Sequence, residues 1–226
     1  MADVLNPYAY IGDLHNNGLD FVAQNLLSFT SLPEGAEVII NLTATFVNNS
    51  GAFPETTYQD LVTAGTIANN NVDLDLYPSD FTEQQIQYAR QVEAVFDGYE
   101  DPFKHIAEIN NKINAEVKKV FTSRLSEEEQ APLLIGLAVG KSSLYYWNQQ
   151  VIDSNSYWNQ VNNNQPKSKT MSDVDWNKVG NSDLKGAVRG FFRGLAGGIK
   201  GAVGGALVGG GVKSGVEVVK QLVLSK

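Results

Sequence analysis

The chain has 226 residues, 42% of them hydrophobic, with a formal charge of −8, enough for one sizeable core or for one core with an appendage. It contains no cysteine, which excludes disulfides, thiolate metal sites and cysteine nucleophiles. Its two histidines, His15 and His105, are too few for most metal constellations, and its acidic body would repel phosphate, so nucleic acid is not an expected partner.

Taken in chain order, the segments read as capped amphipathic helices. Asn6 before Pro7 opens a helix over 7–29 in which Tyr8, Ile11, Leu14, Leu19, Val22 and Leu26 approximate one stripe. Ser31 to Glu34 has the form of a capping box and leads into Val38, Ile39, Leu42 and Phe46. The run EVIINLTATFV is rich in β-branched residues, so a strand is the alternative here; the cap favours helix. A shorter helix follows Pro54, with Tyr58, Leu61, Val62 and Ile67 inward, and ends at Asn69-Asn70-Asn71. Thr82 with Gln85 starts a fourth helix to about residue 98. Asp101-Pro102 starts a fifth, with Phe103, Ile106, Ile109, Ile113, Val117, Val120 and Phe121 in phase. Ser126 with Glu129 starts a sixth, running through Leu133, Leu137, Leu144 and Trp147 to about residue 151. The pattern predicts an all-α fold, an acidic antiparallel helical bundle over residues 1–154.

From 155 to 182 the composition turns polar, which predicts a linker holding one short helix from Ser172 to Val179 around Trp176. A basic segment, 183–226, follows. It carries Lys185, Arg189, Arg193, Lys200, Lys213, Lys220 and Lys226 against Glu217 alone after its first residue. Asn181 or Ser182 is the expected cap of this last unit, with Asp183 favoured at the positive end of the helix. The sequence Tyr146-Trp147-Asn148-Gln149 recurs as Tyr157-Trp158-Asn159-Gln160. These aromatics either pack on the bundle or the tail, or form an amphipathic patch at a bilayer interface or protein contact.

Within the basic segment glycine falls in two rows, Gly186, Gly190, Gly194, Gly198 and Gly197, Gly201, Gly205, Gly209. Small residues four apart let helix backbones approach closely. Each helical glycine costs roughly 1 kcal/mol relative to alanine in water, so a bilayer, a close helix contact or a partner chain must compensate. A flexible tether is the alternative, but the intervening residues are Val188, Phe191, Phe192, Leu195, Ile199, Val203, Leu207 and Val208, too apolar for one. The uncharged stretch from Gly201 to Val212 is shorter than the roughly 20 residues a membrane span needs. If the tail folds back as a hairpin, Gly209-Gly210-Gly211 is the expected turn. Attraction to anionic lipid or docking on the acidic body both suit its charge.

The chemistry of catalysis is sparse. His15 is expected to be half-buried and bonded to a backbone carbonyl, and His105 to form a solvated pair with Glu108. No HExxH, GxSxG or GxxxxGK[ST] pattern occurs. Glu127, Glu128 and Glu129 diverge around a helix start, and Asp73 and Asp75 lack the spacing of a calcium loop. No catalytic, cofactor or metal-binding residue is therefore assigned, and an enzyme is not the expected reading.

The tail GAVRGFFRGLAGGIKGAVGGALVGG resembles the glycine-zipper segments of pore-forming toxins, some bacteriocins and small bacterial envelope proteins, over about 40 residues. The opening NPYAYIGDLHNNGLDF is similar to the start of uncharacterised bacterial proteins with comparable glycine-rich tails. Together with the offset glycine rows, the positive tail and the absence of a signal peptide, the resemblance points to a non-enzymatic effector or toxin-like protein whose tail associates with membranes or other helices, with pore formation as one form that association can take. The alternative is a soluble interaction or structural module with the tail packed on its body or on another subunit. The start of the chain lacks the basic and apolar regions of a signal peptide. Synthesis in the cytoplasm is expected, with delivery by dedicated machinery as the route to a membrane or a protein partner outside.

Overall fold

In a computed structural model, described for residues 5–29, 31–32, 35–52, 56–69, 81–164, 174–194 and 198–224, the chain is a bundle of helices packed on one another, with no strand among the described residues. The elements are α1 (Ala9–Leu26), α2 (Glu37–Ser50), α3 (Tyr58–Asn69), α4 (Glu83–Phe96), α5 (Ile106–Phe121), α6 (Glu127–Ile152), α7 (Tyr157–Asn164), α8 (Trp176–Gly194) and α9 (Gly198–Leu224). A 3₁₀ turn, Pro102–His105, leads into α5.

Local signals set several of these starts. Thr82 accepts from the Gln85 backbone N–H while the Gln85 side chain accepts from Thr82, and Ser126 and Glu129 form the same reciprocal cap on α6. Asp101 accepts from the N–H groups of Phe103 and Lys104. By contrast, α2 begins after Ala36 with no side-chain cap, so the box expected at Ser31 does not start it; Pro33 and Glu34 lie outside the described residues. The β-branched run is nevertheless helix. Ile39, Ile40, Thr43, Ala44 and Val47 fall on one buried face, and the hydroxyls of Thr43 and Thr45 donate back to the carbonyls of Ile39 and Asn41.

Residues 131–140 of α6 are buried without a break, the mark of a helix enclosed on every side. It packs on α1, α5 and α8. Along α1 and α6, contacts advance together. Asn6 Nδ2 donates to the Leu134 carbonyl (2.7 Å), Asn16 Nδ2 to the Ser142 carbonyl (3.2 Å), and the Tyr146 hydroxyl to Asp20 (2.7 Å). These two helices, distant in sequence, therefore run parallel. Gly12 permits the approach, since a Cβ there would stand 2.8 Å from the Ala138 carbonyl oxygen and 2.6 Å from Ser142 Cβ.

Within the stretch expected as a polar linker, 157–164 and 176–182 are helical, and Trp158, Val161, Val174 and Val179 are buried. Val208, Val212, Val216, Val218, Val219 and Leu222 of α9 join the same hydrophobic core as α1, α2 and α6.

Candidate functional site

The feature singled out by the sequence, the glycine-rich tail, is a helical hairpin, and its arms are α8 and α9. Going back along α8 from Gly186 to Lys178 and Asp175, the partner on α9 moves forward from Gly209 to Glu217 and Gln221. The arms are antiparallel, and the residues between them, 195–197, lie outside the described ones. The turn expected at Gly209-Gly210-Gly211 is thus corrected: those three glycines sit inside α9 and are buried. A Cβ on Gly211 would meet Thr43 of α2 at 3.3 Å and Leu19 of α1 at 3.8 Å, and the buried amides need the helical hydrogen bonds.

The close approaches are specific. A Cβ on Gly186 would stand 2.9 Å from the Gly209 carbonyl oxygen and 2.8 Å from Lys213 Cβ. One on Gly215 would stand 2.8 Å from Ile39 Cγ2, and one on Gly65 of α3 would stand 2.8 Å from Val208 Cγ1. The two arms thus approach closely where Gly186 faces the carbonyl of Gly209. Gly190, Gly194, Gly198, Gly201 and Gly205 lie in the two arms, but their surroundings, like Gly197 itself, lie outside the described residues. Lys178 bridges to Glu217 at 2.9 Å across the arms, and the Asp175 N–H donates to Gln221 Oε1 at 2.7 Å. The ion pair is largely exposed on its Lys side and adds little to stability.

The expected start of the tail helix at Asn181 or Ser182 is also corrected. α8 begins at Trp176, with Asp175 accepting from the Lys178 N–H, so Asp183 lies in mid-helix. It is wholly buried. One carboxylate oxygen, Oδ2, accepts from the Ser143 hydroxyl and from the Trp147 indole N–H (2.8 Å). The other, Oδ1, lies 3.5 Å from Nε2 of His15, also enclosed. His15 Nδ1 faces Asn16 Oδ1 at 3.2 Å, so the expectation of a half-buried ring bonded to a carbonyl is corrected as well: α6 and α8 close over it.

Burial alone pulls His15 down, but the charge of Asp183, with the Asn16 oxygen at Nδ1, leaves it above its usual value. Burial raises Asp183, and the His15 charge, with the Ser143 and Trp147 donors, more than offsets this and leaves it low. At 3.5 Å the His15–Asp183 contact is long for a hydrogen bond, so the coupling is one of charge.

Of the aromatic set, Trp147 and Trp158 are wholly buried and their rings lie 5.6 Å apart; Trp176 stacks on Trp147 at 6.0 Å. Trp158 Nε1 donates to the Tyr146 hydroxyl, which donates to Asp20. Burial, then the charge of Asp20, raises Tyr146 well above its usual value. Tyr157 is exposed, and α6 ends at Ile152, so the repeat does not lie on one helix. The two tryptophans pack inside the bundle and present no surface patch. At the surface, His105 lies 3.3 Å from Glu108, as their spacing predicts.

Asp183, Ser143 and Asn16 were not legible as one cluster. The available signal was Asp183 itself, a charge in phase with the apolar Val179 and the small Gly180 and Gly186. Among the described residues no helix is long and apolar enough to cross a membrane, and no group of three or more His, Asp or Glu is placed to hold a metal ion. No family model, curated protein or solved structure matches the chain.

Proposed function

We propose that the protein is a non-enzymatic helical module that carries its glycine-rich hairpin docked in its own body and acts through the contacts that this docking hides or presents. The observation behind this reading is the fit of Gly186 against Gly209, with the described half of α9 enclosed by α1, α2, α3 and α8. The polar cluster supports the non-enzymatic part. A serine nucleophile needs its hydroxyl on the base, whereas Ser143 donates to the carboxylate and His15 and Asp183 have no exposed side-chain surface.

A second reading, association of a released hairpin with membranes, is favoured by the apolar character of α9 all round: residues 208–212, 214–216 and 218–219 are buried. A helix apolar on every side suits a protein core or lipid equally.

Hydrogen exchange in detergent-free buffer tests the first reading. Slow amides over 176–186 and 208–222 are the expected result, and unprotected exchange there overturns it. Dye release from anionic vesicles tests the second, comparing the unaltered chain with G194L/G198L/G201L/G205L. Leakage from the former alone supports membrane association; equal leakage, or none, counts against it.

A further inference from the structure

The surroundings of His15 assign protons to both ring nitrogens. Asn16 Nδ2 donates to the Ser142 carbonyl, so the atom it turns to the ring is its oxygen, an acceptor, and Nδ1 must donate. On the other side Asp183 Oδ2 takes two donors, Ser143 and Trp147, which favours the carboxylate over the acid and leaves Nε2 to carry the proton between the pair. Among the described residues neither Nε2 nor Oδ1 has a hydrogen-bond partner, and both side chains have no exposed surface. Each charge therefore has the other, among the described residues, as its counter-charge.

Asp183 stands three residues before Gly186, where α8 meets α9, and His15 belongs to α1 of the body. We infer that His15 and Asp183 form a charge latch that clamps the glycine hairpin onto the body, tightening in mild acid and loosening in alkali. This regulation rests on the docked-hairpin reading above. Losing either charge leaves the other buried without its counter-charge, which is strongly destabilising.

The direction follows from linkage. His15 is held above its usual value by Asp183 despite burial, so its contribution is complete below about pH 6.5 and is lost as pH rises through the raised value. Asp183 is held low by His15, Ser143 and Trp147 despite burial, so its contribution is complete above about pH 3.9 and is lost only as pH falls through the lowered value. The clamp is tightest between those limits. Other titratable groups of the described residues on the elements around the junction include Asp13 and Asp20 on α1, Lys141 and Tyr146 on α6, Lys178, Lys185, Lys213 and Glu217 on the hairpin, and Asp97 after α4, which lies 3.8 Å from Lys185. Tyr146 is raised by burial and stays neutral through this range. A hairpin held this way is not released by mild acidification; exposing it takes alkali, strong acid or a binding partner.

The test is hydrogen exchange at pH 6 and pH 8.5, corrected for intrinsic rates, on the unaltered chain and on H15Q/D183N, which keeps polar groups in place without charge. Protection over 176–186 and 208–222 several-fold greater at pH 6 in the unaltered chain, and flat in the variant, is the expected result. Protection that falls at pH 6, or a variant with the same pH dependence, overturns the latch while leaving the docked hairpin intact. No protection at either pH overturns the docking itself, and the latch with it. Should H15Q/D183N fail to fold, NMR titration of His15 in the unaltered chain decides: a midpoint above that of free histidine supports the latch, and one at or below it overturns it.

Discussion

A methyl group placed on Gly186 of α8 would stand 2.9 Å from the carbonyl oxygen of Gly209 in α9. That oxygen is backbone and the other near atoms, Cβ and Cγ of Lys213, are the fixed root of a side chain, so neither arm yields without separating. Gly186→Ala is therefore expected to lower stability by about 1–3 kcal/mol through overpacking, although alanine is the better helix former by roughly 1 kcal/mol in solvent. Denaturant titration reads the sign, and a stabilised variant would refute the close packing of the arms.

Trp147 and Trp158 share one aromatic cluster but donate to different acceptors, Asp183 and the Tyr146 hydroxyl. Hydrogen bonds to a charged group are worth about 1.5–3 kcal/mol and neutral ones about 0.5–1.5 kcal/mol. Trp147→Phe is expected to destabilise more than Trp158→Phe, since both lose similar buried volume. Equal midpoint shifts in urea would place no ionised carboxylate beside Trp147.

Ser143→Ala removes one of the donors that hold Asp183 low. The expected cost near neutral pH is about 1.5–3 kcal/mol. The acid side of the stability curve should also change: with less support for the carboxylate, its folded value lies nearer the unfolded one, so less stability is lost as pH falls below about 3.9 and the acid limb is shallower than in the unaltered chain. Thermal melts from about pH 2 to 6 measure the slope, and acid limbs of equal steepness would contradict the role given to Ser143.

Thr82→Ala and Ser126→Ala each remove a reciprocal cap, with an expected loss of about 1 kcal/mol apiece. Because the capping groups lie far apart in sequence and serve different helices, the two costs should add. Fraying confined to the first turns of α4 and α6 is the exchange signature to look for.

Much of the fold was readable because it is written in short-range chemistry. A cap acts over three residues and an apolar stripe over a few turns, so Thr82, Ser126 and the series Ile109, Ile113, Val117, Val120 announce their helices without reference to the rest of the chain. α2 shows where that reach ends: its β-branched residues point locally to a strand, and the burial of Ile39 against Gly215 accompanies the helix instead.

The sequence by itself determined that the chain is helical and that its glycine-rich end offers backbone surfaces for close contact. Tertiary structure alone decided that α8 and α9 lie antiparallel with Gly209-Gly210-Gly211 inside α9, that α1 and α6 run parallel, that Trp147 and Trp158 go inside, and that Asp183 meets His15. The reason is physical. Which face of a glycine-rich helix is covered, and whether a mid-helix carboxylate finds a counter-charge, depends on residues more than a hundred positions away, and no local rule carries that distance.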